Sequence, residues 1–253
     1  MSHSVISLGL GLGGGRSATS SGRPAGGGAL ENDYSISLDG TNDSLSTATS
    51  VLNFYRDGGA ISAWIKPSSV TAPITDPHRF RSIISKANVY ISCAITNTGY
   101  PTLHFYDGAS RNLVASTQVS TSAWTHVLAT WTTSGSKLFV NGSEEASSSE
   151  TPANVSAGQT GGVVHIGRTA YIFSQDYYGG LIDELALFTT DQASNADAIY
   201  NGGVTADLTS LSPVNWWRMG DNDSGTGTTI TDQGSGSNDA TLINGPTFSS
   251  DTP

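Results

Sequence analysis

Hydrophobic and polar side chains alternate along most of the chain from about Tyr34 onward. A period of two is the pattern of a β-strand whose two faces lie in different surroundings. Short runs of Gly, Asn, Asp and Ser separate the alternating segments, as turns require. At least ten strands are predicted in this way: YSISL, GAISAWIKP, FRSIISK, VYISCAI, TLHFYDG, NLVASTQVS, WTHVLATWT, KLFV, VVHIG and GLIDELALF. The pattern therefore predicts an all-β fold.

The segment GAISAWIKP indicates how the strands pack. Ile61, Ala63 and Ile65 share one face of this strand, and Ser62 and Trp64 share the other. Apolar side chains on both faces are typical of a sheet stacked on a second sheet. We expect a sandwich of two antiparallel sheets.

Two further segments predict local structure. Residues 124–143, WTHVLATWTTSGSKLFVNGS, contain two alternating runs joined at SGS, followed by Asn141 and Gly142. An Asn-Gly pair favours a type I′ hairpin turn, which needs a positive φ at both central residues.

One helical signal stands out, TTDQASNADAIYNGG, with Asp191 as a cap and Gly202 as a stop. One short helix is therefore expected on the β fold.

Composition divides the chain into three parts. Residues 1–28 form a Gly- and Ser-rich tract with few bulky side chains, predicted to be an arm or a linker. Residues 29–205 carry the sandwich pattern. Residues 206–253 form a Gly-, Asp-, Asn- and Thr-rich extension, which we expect to pack on or beside the sandwich.

Charge and cysteine content limit the classes of partner. Twenty-one acidic residues against eleven basic ones give a net charge of −10, without a Lys/Arg cluster, so we expect no nucleic-acid binding. No apolar run approaches the roughly 20 residues of a membrane span, so no membrane insertion is expected. The leader MSHSVISLGLGLGGG also lacks the basic and apolar regions of a secretory signal. Cys93 is predicted to be a buried thiol.

Four motifs in order resemble the laminin G-like type of concanavalin A-like domain. They are GGALENDYSISLDGTNDSLS (27–46), ISAWIKP (61–67), WTHVLATWTTSGSKLFVNG (124–142) and IGR…YYGGLIDELALF (166–188). The resemblance covers about residues 28–205 and implies a jelly roll of two antiparallel sheets. This fold hosts sugar-binding modules, adhesion domains and virion proteins, so it does not by itself identify a function.

The resemblance also implies a calcium site. Such domains often hold one Ca²⁺ ion near the DGTND loop and the IDE strand, which correspond here to Asp39, Asp43 and Asp183. The alternative is that Asp39 and Asp43 only form Asx-turns. Both interpretations stay open at this point.

No catalytic set follows from the sequence. Asp183 and Glu184 are neighbours on a predicted strand, so their side chains should point to opposite faces, which does not suit glycoside hydrolysis. The five histidines lack metal-ligand spacing, and His126 and His165 are expected to be sandwich residues with satisfied rings. Trp216 and Trp217 are predicted to be core. We therefore expect no enzymatic activity.

Two functions remain open. The C-terminal segment and the LGLGLGGG leader resemble structural proteins of tailed phages, so the main hypothesis is a virion protein, a capsid decoration or fibre subunit assembled in the host cytoplasm. Residues 1–28 would dock it to other virion proteins, and a homo-oligomer is expected. The alternative is a secreted or surface carbohydrate-binding module, with Tyr171, Tyr177 and Tyr178 as ligand-binding residues and Tyr100 and Tyr106 as further exposed rings.

Overall fold

The computed structural model describes residues 30–53, 55–71, 80–86, 91–155, 162–169 and 176–253. The N-terminal arm predicted over residues 1–28 lies outside the described residues. No helix in the described part of the chain has the length and apolar character needed to cross a membrane.

The described residues form sixteen strands and one α-helix, α1 (Ala196–Tyr200). The strands are β1 (Ser35–Asp39), β2 (Ser44–Thr47), β3 (Gly59–Pro67), β4 (Phe80–Lys86), β5 (Ile91–Thr96), β6 (Pro101–Tyr106), β7 (Ser110–Val114), β8 (Thr125–Thr132), β9 (Gly135–Val140), β10 (Ser143–Ser148), β11 (Val164–Ile166), β12 (Gly179–Phe188), β13 (Asn215–Trp217), β14 (Thr229–Ile230), β15 (Ala240–Ile243) and β16 (Thr247–Ser249).

These strands form two eight-stranded antiparallel sheets. Sheet A has the order β10-β9-β8-β3-β12-β1-β16, with β13 also paired to β12. Sheet B has the order β14-β15-β2-β11-β4-β5-β6-β7. The prediction of an all-β jelly-roll sandwich with one short helix is confirmed.

The main core lies between the sheets. Ile61, Ala63 and Ile65 of β3 are fully buried in it, as the alternation predicted. Cys93 is buried in the same core as a free thiol, which confirms its predicted place. Burial raises the pKa of the Cys93 thiol to about 12.

A second apolar cluster covers part of the outer face of sheet A. Ala60, Leu128 and Phe188 of this face pack against Ile199 of α1 and Leu208 of the following loop. The helix and the following loop therefore cover part of the outer face.

The predicted turn and the predicted helix are both present, and the helix stop lies one residue earlier than predicted. Asn141 and Gly142 have φ values of +50° and +80° and join β9 to β10, as a type I′ turn requires. Asp191 Oδ1 accepts a hydrogen bond from the backbone N–H of Ala193, which starts a 3₁₀ turn leading into α1. The helix ends at Tyr200, and its C-cap is Asn201, with a φ of +53°, one residue before the predicted Gly202.

Residues 206–253, expected to pack on or beside the sandwich, supply strands to both sheets. β13 and β16 join sheet A, and β14 and β15 join sheet B. Trp217 of β13 is fully buried in the main core, and Trp216 is 5% exposed in the second cluster, which confirms that both are core residues. The sandwich therefore continues through this segment.

Candidate functional site

A groove of about 400 Å³ lies at one end of β1, β3 and β12. It is lined by hydroxyl, charged and apolar groups, among them Ser37, Asp39, Lys66, Ser68, Thr121 and Leu181. We call this feature the β1–β3–β12 groove.

The strand register explains why these side chains meet. Lys66 of β3 pairs with Leu181 of β12, and Leu181 pairs with Ser37 of β1. Residues directly opposite each other in a sheet point to the same side, so the three side chains form a row across three strands. Lys66 lies on the same face as Trp64, which is the outer face of sheet A.

Backbone forms part of the groove. Gly180 has a φ of +127°, and a Cβ atom there would lie 2.4 Å from the carbonyl oxygen of Lys66 and 2.7 Å from Cα of Pro67. Only glycine allows β12 to run this close to the end of β3. The result is a groove wall without a side chain at Gly180.

The C-terminal tail borders the groove through Asp251. The Nζ of Lys66 donates to Oδ2 of Asp251 at 2.7 Å, and the indole Nε1 of Trp124 donates to Oδ1 at 2.9 Å. The hydroxyl of Ser35 donates to the carbonyl oxygen of Asp251 at 2.7 Å. These contacts, first of all the hydrogen bond from Lys66, hold the pKa of Asp251 below its usual range, so its side chain is ionised at neutral pH.

A second carboxylate belongs to Asp39, which is exposed. Its Oδ1 accepts from the backbone N–H groups of Thr41 at 2.7 Å, Asn42 at 3.1 Å and Asp43 at 3.2 Å. These bonds, that of Thr41 first, lower the pKa of Asp39. The predicted Asx-turn is therefore present, and it holds an ionised side chain at the groove.

The structure brings together two of the three residues predicted to bind calcium. The backbone N–H of Asp39 donates to Oδ2 of Asp43 at 3.2 Å. Asp39 pairs with Gly179 in the β1–β12 ladder, so Asp183 lies four positions further along β12, roughly 13 Å away at the rise of a strand. The described residues contain no group of three or more His, Cys, Asp or Glu side chains placed to hold a metal ion. Calcium binding by Asp39, Asp43 and Asp183 stays a prediction.

The expectation that Asp183 and Glu184 point to opposite faces is wrong. A β-bulge interrupts the β3–β12 register, so that Asp183 pairs with Trp64 and Ala186 pairs with Ser62, all on the outer face. Glu184 takes up the extra residue with a φ of +47°. Strict alternation fails here because the bulge inserts a residue between two same-face pairs.

Both carboxylates are held in a closed network. Glu184 Oε1 accepts from Nε of Arg218 at 2.9 Å, and Oε2 accepts from the indole of Trp216 at 2.6 Å. Asp183 Oδ2 accepts from the amide of Asn32 at 2.9 Å. Burial raises the pKa of Asp183 and raises the pKa of Glu184 to about 7. Because Asp183 and Glu184 are 0% and 3% exposed, neither is open to a substrate.

Of the three tyrosines predicted to bind a ligand, one lies in the core. Tyr178 is fully buried in the main core, and its hydroxyl donates to the carbonyl of Leu181 at 3.2 Å. Tyr177 is half-buried, with the guanidinium of Arg168 5.8 Å from its ring centroid. Tyr171 lies outside the described residues. Tyr106 is 43% exposed, at the end of β6.

The two sandwich histidines lie where alternation places them, but their rings are only partly satisfied. Nε2 of His126 lies 2.9 Å from Oγ of Ser62, while Nδ1 of His126 and Nδ1 of His165 are buried without a hydrogen-bond partner. Burial lowers the pKa of His126 to about 3 and that of His165 to about 4.

A second groove, of about 410 Å³, lies beside β8, β9 and β10. Its Thr130 hydroxyl and Asp191 carboxylate satisfy each other at 2.6 Å, and Lys137 is paired with Glu144. Trp131, which borders it, is 1% exposed and part of the main core. None of the described residues that line this groove supplies an accessible aromatic ring, whereas Trp124 is half-buried beside Lys66.

Sequence reasoning missed Lys66, Trp124 and Asp251. The alternation in AWIKP places Lys66 on the outer face with Trp64, which was a usable signal. The partnership of Lys66 with Asp251 spans 185 positions and leaves no local pattern.

Comparison with known proteins supports the fold. A family model described as the concanavalin A-like lectin/glucanases superfamily, of the laminin G type, matches residues 39–199. A structure from Bacteroides ovatus ATCC 8483, provisionally designated a carbohydrate binding protein, superimposes with a TM-score of 0.64 at 17% identity, over 87% of this chain and 60% of that one. The CBM40 module of Ruminococcus gnavus IT-sialidase bound to α2,3-sialyllactose gives a TM-score of 0.51 at 16% identity, over 68% of this chain and 100% of the module. A search of curated protein sequences finds no match. At these identities the structural likenesses establish the fold alone.

Proposed function

Since the chain belongs to the concanavalin A-like lectin/glucanases superfamily, we propose that it is a non-catalytic carbohydrate-binding module that takes a sugar in the β1–β3–β12 groove. The observation that carries the proposal is the groove itself, an open space of about 400 Å³ with polar groups of several kinds around it. Small-molecule sites are typically concave spaces of this size with a few convergent polar groups.

The chemistry of the groove suits sugar hydroxyls. A hydroxyl both donates and accepts, and the groove offers acceptors on Asp39, a cationic donor on Lys66 and hydroxyls on Ser37, Ser68 and Thr121. Trp124 borders the groove through the hydrogen bond from its indole N–H to Asp251, and the ring would give a sugar an aromatic surface next to Lys66. Hydroxyl recognition and an apolar surface are thus present together.

Two structural relatives support the same proposal. The Bacteroides ovatus protein is designated carbohydrate binding, and the Ruminococcus gnavus module is bound to sialyllactose. The match covers 60% of the Bacteroides ovatus protein and all of the Ruminococcus gnavus module. Only in the second case is the whole sugar-binding module matched.

The buried acid pair supports the non-catalytic part of the proposal. Glu184 is tied to Arg218 and Trp216, and Asp183 to Asn32, in the network beneath the C-terminal segment. Glycoside hydrolysis needs two carboxyl groups that flank the scissile bond, and groups that are 0% and 3% exposed do not reach one.

A glycan array followed by titration calorimetry tests the proposal. We expect the full chain to bind at least one oligosaccharide, and Lys66→Ala and Trp124→Ala to weaken that binding at least tenfold. Lys137→Ala is the matched control, because Lys137 is also paired with a carboxylate at 2.7 Å but lies at the second groove. An array without a hit, or a loss caused by Lys137→Ala and not by Lys66→Ala, would contradict a sugar site at this groove.

Calcium binding is proposed separately and is tested by melting the protein with and without EDTA. A ligand that binds only the native state stabilises it by mass action, so EDTA should lower the melting temperature if an ion is bound. An unchanged melting curve would count against calcium.

The virion hypothesis stays a prediction. It rests on the resemblance of the C-terminal segment and of the LGLGLGGG leader to structural proteins of tailed phages, and a mass-spectrometric inventory of purified phage particles would test it. The docking role rests on residues 1–28, which lie outside the described residues. Deleting residues 1–28 tests the docking role, because particle assembly or oligomer formation that survives the deletion would contradict it.

A further inference from the structure

The charges around the β1–β3–β12 groove are unequal. Asp39 and Asp251 supply two carboxylates, and their hydrogen bonds lower the pKa of both. Among the described residues that line or border the groove, Lys66 is the one cation. The groove therefore carries a net charge of −1 at neutral pH, on a protein with a net charge of −10.

Asp251 occupies the groups that would otherwise attract an anion. Its two carboxylate oxygens take the ammonium of Lys66 and the indole N–H of Trp124 at 2.7 Å and 2.9 Å. The C-terminal tail is itself fixed, since Ser35 donates to the carbonyl of Asp251 and Thr252 donates to the carbonyl of Asn32 at 3.0 Å. A carboxylate is thus built into the place where a ligand carboxylate would bind.

Resting on the proposed sugar site, we propose that Asp251 is a specificity-determining residue that makes the groove select neutral or amino sugars and reject acidic sugars. Asp251 neutralises the charge of Lys66, whose ammonium keeps donors for hydroxyls, and leaves the exposed Asp39 as the unneutralised charge that lines the groove. A uronic acid or another carboxylate-bearing sugar then meets repulsion from Asp39 without a free cation to offset it. Specificity of this kind arises from a repulsive element as much as from attractive contacts.

The size of the effect follows from electrostatics near a protein surface. Repulsion between two like charges a few ångströms apart, in a medium of intermediate dielectric, weakens the binding of the charged ligand by roughly tenfold or more relative to a neutral one. Added salt screens this repulsion and reduces the difference in affinity. We therefore expect neutral oligosaccharides to bind at least about tenfold more tightly than their counterparts that carry a carboxylate at C6, with a smaller ratio at high salt.

The decisive variant is Asp251→Asn, which removes one negative charge and frees the ammonium of Lys66. Asp197→Asn is the matched control, because it makes the same charge change on an exposed residue of α1. The probes are neutral hexasaccharides of glucose and mannose together with the strongest neutral array hit, each paired with its uronate counterpart. Binding is measured by titration calorimetry at low and high salt, and melting curves verify that both variants are folded.

We expect the neutral-to-acidic affinity ratio to fall severalfold in Asp251→Asn, through tighter binding of the acidic sugars, and to stay unchanged in Asp197→Asn. The inference is overturned if the neutral-to-acidic affinity ratio is unchanged in Asp251→Asn, or if the wild-type protein prefers acidic sugars. In either case the proposed function still stands as long as the protein binds neutral sugars. If no sugar of either kind binds the wild-type protein or the variant, the proposed function fails and the inference falls with it.

Discussion

Gly180 shows how a single residue sets the shape of the groove. Its φ of +127° lies in a region that side chains rarely adopt, and a Cβ atom would also collide with backbone atoms of Lys66 and Pro67 at 2.4 and 2.7 Å. Backbone cannot rotate away as a flexible side chain can, so β12 and β3 would have to separate. Both the positive φ of Gly180 and the close approach of β3 therefore require glycine at this position.

Replacing Gly180 with alanine should destabilise the protein by about 3 kcal/mol or more, because backbone strain alone costs on the order of 1–3 kcal/mol and the collision adds to it. Gly108→Ala is the control, since Gly108 has a similar φ of +111° but no atom within 4 Å of an added Cβ. Urea denaturation of both variants measures the two effects separately. Equal destabilisation by the two substitutions would contradict this prediction, because it would show that the structure relieves the collision at position 180 without any cost in stability.

At the scale of elements, the bulge in β12 joins the sandwich to the C-terminal segment. Glu184, with a φ of +47°, directs its carboxylate to Trp216 and Arg218. Arg218 in turn donates to Asp221 at 2.8 Å. Glu184 and Asp221 thus share one guanidinium, and the buried carboxyl of Asp183 lies beside Glu184 without a cation of its own. The native state therefore favours keeping a proton on this network.

This network predicts a pH dependence of stability. Burial raises the pKa of Glu184 from 4.5 to about 7, so the native state binds the proton more tightly than the unfolded chain. The stabilisation is complete below about pH 4.5 and is lost as the pH rises to about 7, by an amount on the order of 3 kcal/mol.

The free energies of unfolding of the wild type and of Glu184→Gln, measured between pH 4.5 and 7, should therefore diverge steadily. Glu144→Gln, at an exposed ion pair with Lys137, should leave the wild-type slope unchanged. His126, whose pKa is lowered to about 3, gives the opposite slope below pH 6.5, but it does so equally in all three proteins. Parallel curves for the wild type and Glu184→Gln would refute the prediction.

At the scale of the whole molecule, the C-terminal segment completes both sheets. β16 pairs with β1 and β15 pairs with β2, so residues near the end of the described chain lie beside its first strands. Trp217, Ile230 and Ala240 of this segment are fully buried. The main core therefore includes side chains from both ends of the described chain.

Truncation after Ser212, which removes β13 to β16, should abolish cooperative unfolding, because losing Trp217 alone would cost about 3–5 kcal/mol, a large part of the stability of a domain. Removing only residues 250–253 is the control, since the tail holds surface contacts and no strand. Circular dichroism melting distinguishes the two chains. A cooperative transition in the shorter chain would show that the sandwich folds without this segment.

The sequence by itself determined the features that depend on neighbouring residues. The period of two specified the strands, their buried faces and the place of Cys93, and the Asn141-Gly142 pair specified its turn, because these follow from local backbone geometry. Tertiary structure decided the rest. The bulge reversed the expected direction of the Glu184 side chain, burial removed Tyr178 from the surface, and the return of the C-terminus placed Asp251 against Lys66. Each of these depends on contacts between residues that are distant in sequence or on a register set by a facing strand, and no local pattern records such contacts.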